Sequence, residues 1–144
     1  MNSPIILAIL TLLQAGPSLP KEETVTIFGT LRCSGHPAAG ITINLEDLRK
    51  NTDEERYPFK AKTNASGAFA LTVPKARLFQ TYARLSFGHR CKVDAIERWM
   101  HGRCTFFETY PIPSIKSLLP NHTLPFGTLQ LDARRPNKKH WCYL

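Results

Sequence analysis

Four cysteines and two histidines are the residues in this chain best suited to carry chemistry: Cys33, Cys91, Cys104 and Cys142, with His89 and His101. The segments "HRC" and "HGRC" bring His89, Cys91, His101 and Cys104 close in sequence, and two imidazoles with two thiolates form a tetrahedral zinc set. Against that reading, His89 and Cys91 stand two apart, so on a strand both are tied to one extended face and chelate poorly. In an oxidising compartment an even number of cysteines reads first as a disulfide framework. The compartment therefore decides between ligand and crosslink.

The amino-terminal stretch "MNSPIILAILTLLQAGPSLP" has no charged side chain, and its apolar run from Ile5 to Leu13 precedes the small residues Ala15, Gly16 and Ser18. Such a pattern predicts a secretory signal over residues 1–18, cut between Ala15 and Pro20. The run is too short for a bilayer, which needs about 20 apolar residues. The rest of the chain, residues 19–144, fits one domain, secreted and extracellular, with a basic tail over 133–144. All four cysteines lie in that part, so the disulfide reading leads. The net charge is +8, and a basic extracellular surface attracts anionic lipid, sulfated glycan or acidic protein.

Those cysteines must be positioned by strands. Val25, Ile27, Leu31 and Cys33 share one face of an alternating run, with Thr24, Thr26, Thr30 and Arg32 between them, which is the pattern of a half-buried strand. Ile41, Ile43 and Leu45 alternate next, after a turn marked by Gly35, Pro37 and Gly40. "YPFKAKT" suits an edge strand, and Phe69, Leu71 and Val73 alternate after the turn at Asn64, Ser66 and Gly67. Runs from Tyr82 to His89, at "CTFFETY" and at "FGTLQLD" complete the set. "KARLFQT" suits a helical turn, and "KVDAIERWMHGR" between Cys91 and Cys104 could hold a short helix. About seven short strands with at most one short helix predict an all-β sandwich of two antiparallel sheets.

The order of these motifs resembles the secreted transthyretin-like family abundant in nematodes. Its positions read here as Gly29, Leu31 and Cys33; Gly35, Pro37 and Gly40; Thr63, Gly67 and Phe69; His89 and Cys91; Cys104; and Gly127, Leu129 and Leu131. The resemblance spans nearly all of the chain after the signal and implies a prealbumin-like sandwich, with a binding or signalling role and no shared catalytic residues. Three departures stand out: Asn64 replaces the usual Asp, the loop after the second strand is more basic, and Trp99, Met100 and His101 fill the middle connection. The enzymatic relatives that hydrolyse 5-hydroxyisourate end in Tyr-Arg-Gly-Ser, whereas this chain ends "HWCYL".

Of the three possible cysteine pairings, the one expected joins Cys91 to Cys104, at one end of an antiparallel hairpin, and leaves Cys33 to Cys142. His89 then serves as a hydrogen-bonding residue at a strand end. Asn64 and Asn121 head the sequons "NAS" and "NHT" in expected turns, which exposes both to glycosylation. "TDEE" reads as a solvated acidic loop paired with Arg49, Lys50 and Arg56, since it lacks the spacing of a calcium loop. Arg134, Arg135, Lys138 and Lys139, beside Trp141, form the candidate surface for an anionic ligand, on a tail otherwise expected to be loosely ordered. No Gly-x-Ser-x-Gly, His-Glu-x-x-His or phosphate loop occurs, so neither an enzyme nor a cofactor is expected; the expected partner is an extracellular protein receptor or cell-surface ligand and not nucleic acid, and the alternative readings are recognition of anionic lipid or sulfated glycan through the basic surface and, second, the zinc or enzymatic use of His89, Cys91, His101 and Cys104.

Overall fold

Period-two alternation with threonine on one side favours a pleated strand with one dry face, and β1 (Thr24–Cys33) is that strand. Val25, Ile27 and Leu31 are buried while Thr24 and Phe28 are exposed. The computed structural model describes residues 23–93 and 102–143. The signal over 1–18 and the connection holding Trp99, Met100 and His101 lie outside them. Among the described residues, no helix is long and apolar enough to cross a membrane.

Among the described residues, nine strands form two sheets. After β1 come β2 (His36–Pro37), β3 (Thr42–Asp47), β4 (Phe59–Lys62), β5 (Ala68–Pro74), β6 (Ala83–His89), β7 (Arg103–Pro111), β8 (Thr123–Gln130) and β9 (Lys138–Tyr143). One sheet pairs β1 with β2, β5 and β8, and the other runs β4-β3-β6-β7-β9. Their facing sides bury Val25, Ile27, Leu31, Leu71 and Val73 against Ile43, Leu45, Leu85 and Phe87. Each such aliphatic side chain contributes about 1.5–3 kcal/mol relative to exposure. The all-β sandwich agrees with the sequence pattern in its two layers and core.

Three details differ from expectation. Among the described residues, two four-residue helical turns, α1 (Asp53–Arg56) and α2 (Lys75–Leu78), stand where the pattern predicts at most one helix. β8 pairs with β1 in parallel, because the chain crosses from one sheet to the other between β7 and β8. Residues 138–143 of the tail form β9, antiparallel to β7, where a loose segment is expected.

The disulfides also correct the expected pairing: Cys33 joins Cys91, and Cys104 joins Cys142. The β6–β7 ladder, extended past His89↔Phe106, would place Cys91 opposite Cys104. However, β6 ends at His89, whose Nδ1 accepts the Cys91 N–H at 3.1 Å. Cys91 therefore leaves the ladder and bonds to Cys33 at the end of β1, stapling sheet to sheet. Cys104 stays in β7 and meets Cys142 directly across from it in β9. The bridges span sequence separations of 58 and 38, which chain entropy values at about 4 kcal/mol each.

The turn between β4 and β5 explains two family positions. Gly67 has φ +76°, and a Cβ there would stand 2.4 Å from the Leu31 carbonyl oxygen, which leaves room only for glycine. Buried Thr63 donates its hydroxyl to the Ala38 carbonyl at 2.7 Å and accepts the Ile41 N–H at 2.9 Å. Both residues close the sandwich around the end of β1. Non-reducing peptide mapping is expected to recover Cys33 with Cys91 and Cys104 with Cys142; a Cys91–Cys104 peptide would contradict this arrangement.

Candidate functional site

Alternation along β7 sends Cys104, Phe106, Glu108 and Tyr110 to the inner side of their sheet. A carboxylate in that position must gather donors or remain protonated. The Glu108 side chain is 0% exposed and accepts from four donors. One Oε accepts Tyr110 Oη–H at 2.7 Å, Arg135 Nε–H at 2.8 Å and Arg135 Nη2–H at 2.5 Å. The other faces His89 Nε2 at 2.5 Å. Because His89 Nδ1 accepts from Cys91, its proton sits on Nε2 and is donated to Glu108.

Burial alone would raise the Glu108 carboxyl, but hydrogen bonds from His89, Tyr110 and Arg135 hold it below its ordinary range. Burial, reinforced by the neighbouring carboxylate, pushes the Tyr110 phenol up to about 12. Glu108 is thereby an anion and Tyr110 a neutral donor at any physiological pH.

Above this cluster opens a cleft of about 450 Å³ lined by Lys92, Phe106, Asp132, Arg134, Arg135 and Lys138. Arg135 lies at its base, tied to Glu108. Lys138 Nζ donates to the carbonyls of Leu131 at 2.6 Å and Ala133 at 2.9 Å, and lies 4.7 Å from the centroid of the Phe106 ring. Burial lowers the Lys138 ammonium from its ordinary value, with the nearby Glu108 charge opposing. Asp132 accepts the Ser34 N–H at 3.1 Å, which anchors the cleft wall to the end of β1. Among the described residues, neither Lys92 nor Arg134 has a hydrogen bond or salt bridge, and both are exposed. The cleft thus joins two tethered cations, Arg135 and Lys138, to Arg134 and to Lys92, whose charge acts on the Asp132 carboxylate in the wall, over an aromatic floor.

Three of the four expected anion-binding residues, Arg134, Arg135 and Lys138, meet in this cleft. Lys139 does not, since it alternates with Lys138 on β9 and faces the other side of the sheet opposite Phe107. Lys92 joins them by fold alone, at a turn with φ +61° that no local pattern announces. Glu108 was also missed, because "FFETY" reads as a strand whose acid could face water.

The zinc reading does not survive: Cys91 and Cys104 are both oxidised, in different disulfides, and both His89 nitrogens are engaged. His101 lies outside the described residues. The acids of "TDEE" do not take the expected arginines either. Arg56 binds Glu46 and Arg49 binds Asp47, two acids of β3, which Arg84 and Arg77 approach as well. Hydrogen bonds from Arg49 hold Asp47 at about 2, against the opposing effect of burial.

Asn64 and Asn121 both head exposed turns. Asn64 Oδ1 accepts Ser66 Oγ–H at 2.8 Å, and Asn121 Oδ1 accepts Thr123 Oγ1–H at 2.6 Å.

The model of the Transthyretin-like family matches residues 28–113. No match is found among curated proteins or among solved structures.

Glu108→Ala leaves Arg135 and His89 without their acceptor and is expected to cost about 3–5 kcal/mol, read as a shift in the denaturant midpoint, with Glu108→Gln costing less. Because its folded value is lowered, the Glu108 contribution is present above its unfolded value of about 4.5 and is lost as the pH falls through the folded one. Wild type is therefore expected to lose more stability than Glu108→Gln on acidification below about pH 4.5.

Proposed function

The chain belongs to the transthyretin-like family, and on that footing we propose that it is a secreted binding or signalling protein without a reaction of its own, which recognises an anionic ligand. The observation that carries this reading is the convergence of Lys92, Arg134, Arg135 and Lys138 on one cleft. A concave site with a few oriented polar groups over an apolar floor suits a small charged group. Its size and charge favour a compact phosphorylated or carboxylated head, such as that of an anionic lipid, over a long chain.

Two disulfides agree with an oxidising compartment, as does the amino-terminal pattern of a signal over residues 1–18. The buried cluster withholds its own histidine from a role as acid or base. The His89 side chain is 1% exposed, and its two ring nitrogens are occupied by Glu108 and by the Cys91 N–H, so neither is open to a substrate. Asn64 and Asn121 are proposed to carry N-linked glycans, since each uses its Oδ1 within the turn and, among the described residues, makes no hydrogen bond through Nδ2.

Sedimentation with vesicles of phosphatidylcholine, with and without 30% anionic phospholipid, tests the reading. Each cation near an anionic surface contributes about 1 kcal/mol, so Lys92→Ala with Arg134→Ala is expected to weaken binding about thirtyfold. Added salt is expected to weaken wild type more steeply than this variant. Binding that is indifferent to salt and to both substitutions would sink the proposal. For the glycans, Asn64→Gln and Asn121→Gln are each expected to remove one glycan mass from the secreted protein; an unmodified wild-type mass would rule both out.

A further inference from the structure

The outward side of the five-stranded sheet is organised differently from an ordinary solvated face. Register places Asn44 between Lys60 and Ser86, and Ser86 opposite Thr109, so short polar side chains form a row across β3, β6 and β7 with Lys60 of β4 at its end. Asn44 Nδ2 reaches the Ser86 carbonyl only at 3.4 Å, and neither the Ser86 nor the Thr109 hydroxyl is hydrogen-bonded among the described residues. The row floors a groove of about 370 Å³, walled by Phe107 on one side and by Tyr57, Arg56 and Arg84 on the other. The two arginines share the single carboxylate of Glu46, which is buried beneath them.

Beyond Phe107 the face turns aromatic. Phe107 stands over Gly88 and is 49% exposed, followed by Trp141 at 60% and Tyr143 at 69%. Cations alternate with them: Lys139 lies opposite Phe107, and Arg103 lies opposite Tyr143. From Thr109 to Arg103 this surface extends about 20 Å along β7. Exposed aromatics of this size in one patch mark a binding surface, since single-domain proteins seldom leave such a cluster bare.

We propose that this face binds an acidic polysaccharide, a chain bearing uronate or sulfate groups. Each part of the surface answers one feature of that ligand. The flat rings of Phe107, Trp141 and Tyr143 offer stacking planes for the apolar faces of pyranose rings. The free Ser86 and Thr109 hydroxyls, with the Asn44 amide that is held only by its long bond to the Ser86 carbonyl, offer both donors and acceptors to ring hydroxyls. Lys60, Lys139, Arg103 and the surplus charge of the Arg56–Arg84 pair select for negative substituents. A protein partner would be served by the aromatics, but it would have less use for the open row of small hydroxyls. The site does not depend on the cleft, which opens on the opposite side of β7 and β9.

A size-defined heparin hexasaccharide and its desulfated counterpart are the probes, titrated into the disulfide-intact protein by calorimetry and by amide chemical-shift mapping. The sulfated chain is expected to bind, with shifts at Asn44, Ser86, Phe107, Thr109 and Trp141, and the desulfated one to bind at least tenfold more weakly. Phe107→Ala and Trp141→Ala, both exposed positions, are each expected to raise Kd about tenfold, while Lys92→Ala with Arg134→Ala changes it less than twofold. Three results would overturn the inference: no binding, shifts confined to the cleft and abolished by the cleft variant, or a dimer that Trp141→Ala converts to monomer. Failure of the vesicle experiment leaves this prediction untouched, because the two sites share no residue.

Discussion

A carboxylate between two β-sheets has to be satisfied, and Glu108 is satisfied by groups drawn from distant parts of the chain. His89 comes from the end of β6, Tyr110 from β7 itself, and Arg135 from the turn before β9. Removing any one donor would leave part of a buried charge unpaired, which costs more than the bond alone is worth. The cluster therefore fixes the carboxy-terminal turn against the sandwich. Once Arg135 is held there, β9 runs beside β7 with Cys142 opposite Cys104, and Lys138 lies across Phe106.

The same cluster links the two disulfides. His89 donates to Glu108 through Nε2 and accepts the Cys91 N–H through Nδ1, so its ring sits between the buried charge and the half-cystine that staples the sheets. On the other side, the bridge from Cys104 to Cys142 ties down the strand that comes after Arg135. Covalent and ionic constraints here act on the same two strand ends. Neither is redundant: the disulfides restrict the unfolded chain, and the carboxylate selects one arrangement of the folded one.

Much of this could be read from residue order. Val25, Ile27 and Leu31 announce β1 by alternation alone, and the glycines after it mark turns at positive φ, of which the one at Gly67 leaves no room for a side chain. The cysteine pairing could not be read in that way, because it depends on where a ladder stops. Register extends naturally to Cys91 opposite Cys104, and a side chain to main chain bond at His89 prevents it. Glu46 was hidden for a related reason. Its place in the alternation is an outward one, yet Arg56, ten residues on, and Arg84, thirty-eight residues on, fold over it and bury it. Ion pairs between distant residues leave no local pattern to find.

The tail shows how a strand's period divides one basic run between two surfaces. Read along the chain, Arg134, Arg135, Lys138 and Lys139 form a single cluster beside Trp141. Folded as β9, Lys138, His140 and Cys142 face inward, while Lys139, Trp141 and Tyr143 face outward. Lys138, from the first group, completes a cleft that takes Lys92 and Phe106 from the span matched by the family model, residues 28–113, and Asp132, Arg134 and Arg135 from beyond it. The second completes an aromatic face begun by Phe107, also within that span. Cations on both sides thus come partly from residues 114–143, outside the matched span. Family membership accounts for the sandwich, then, whereas what either surface selects depends on a strand that the membership does not describe. Shifting the tail's register by one residue would exchange its two sets of side chains, and the Cys104–Cys142 bridge is the covalent device that prevents it.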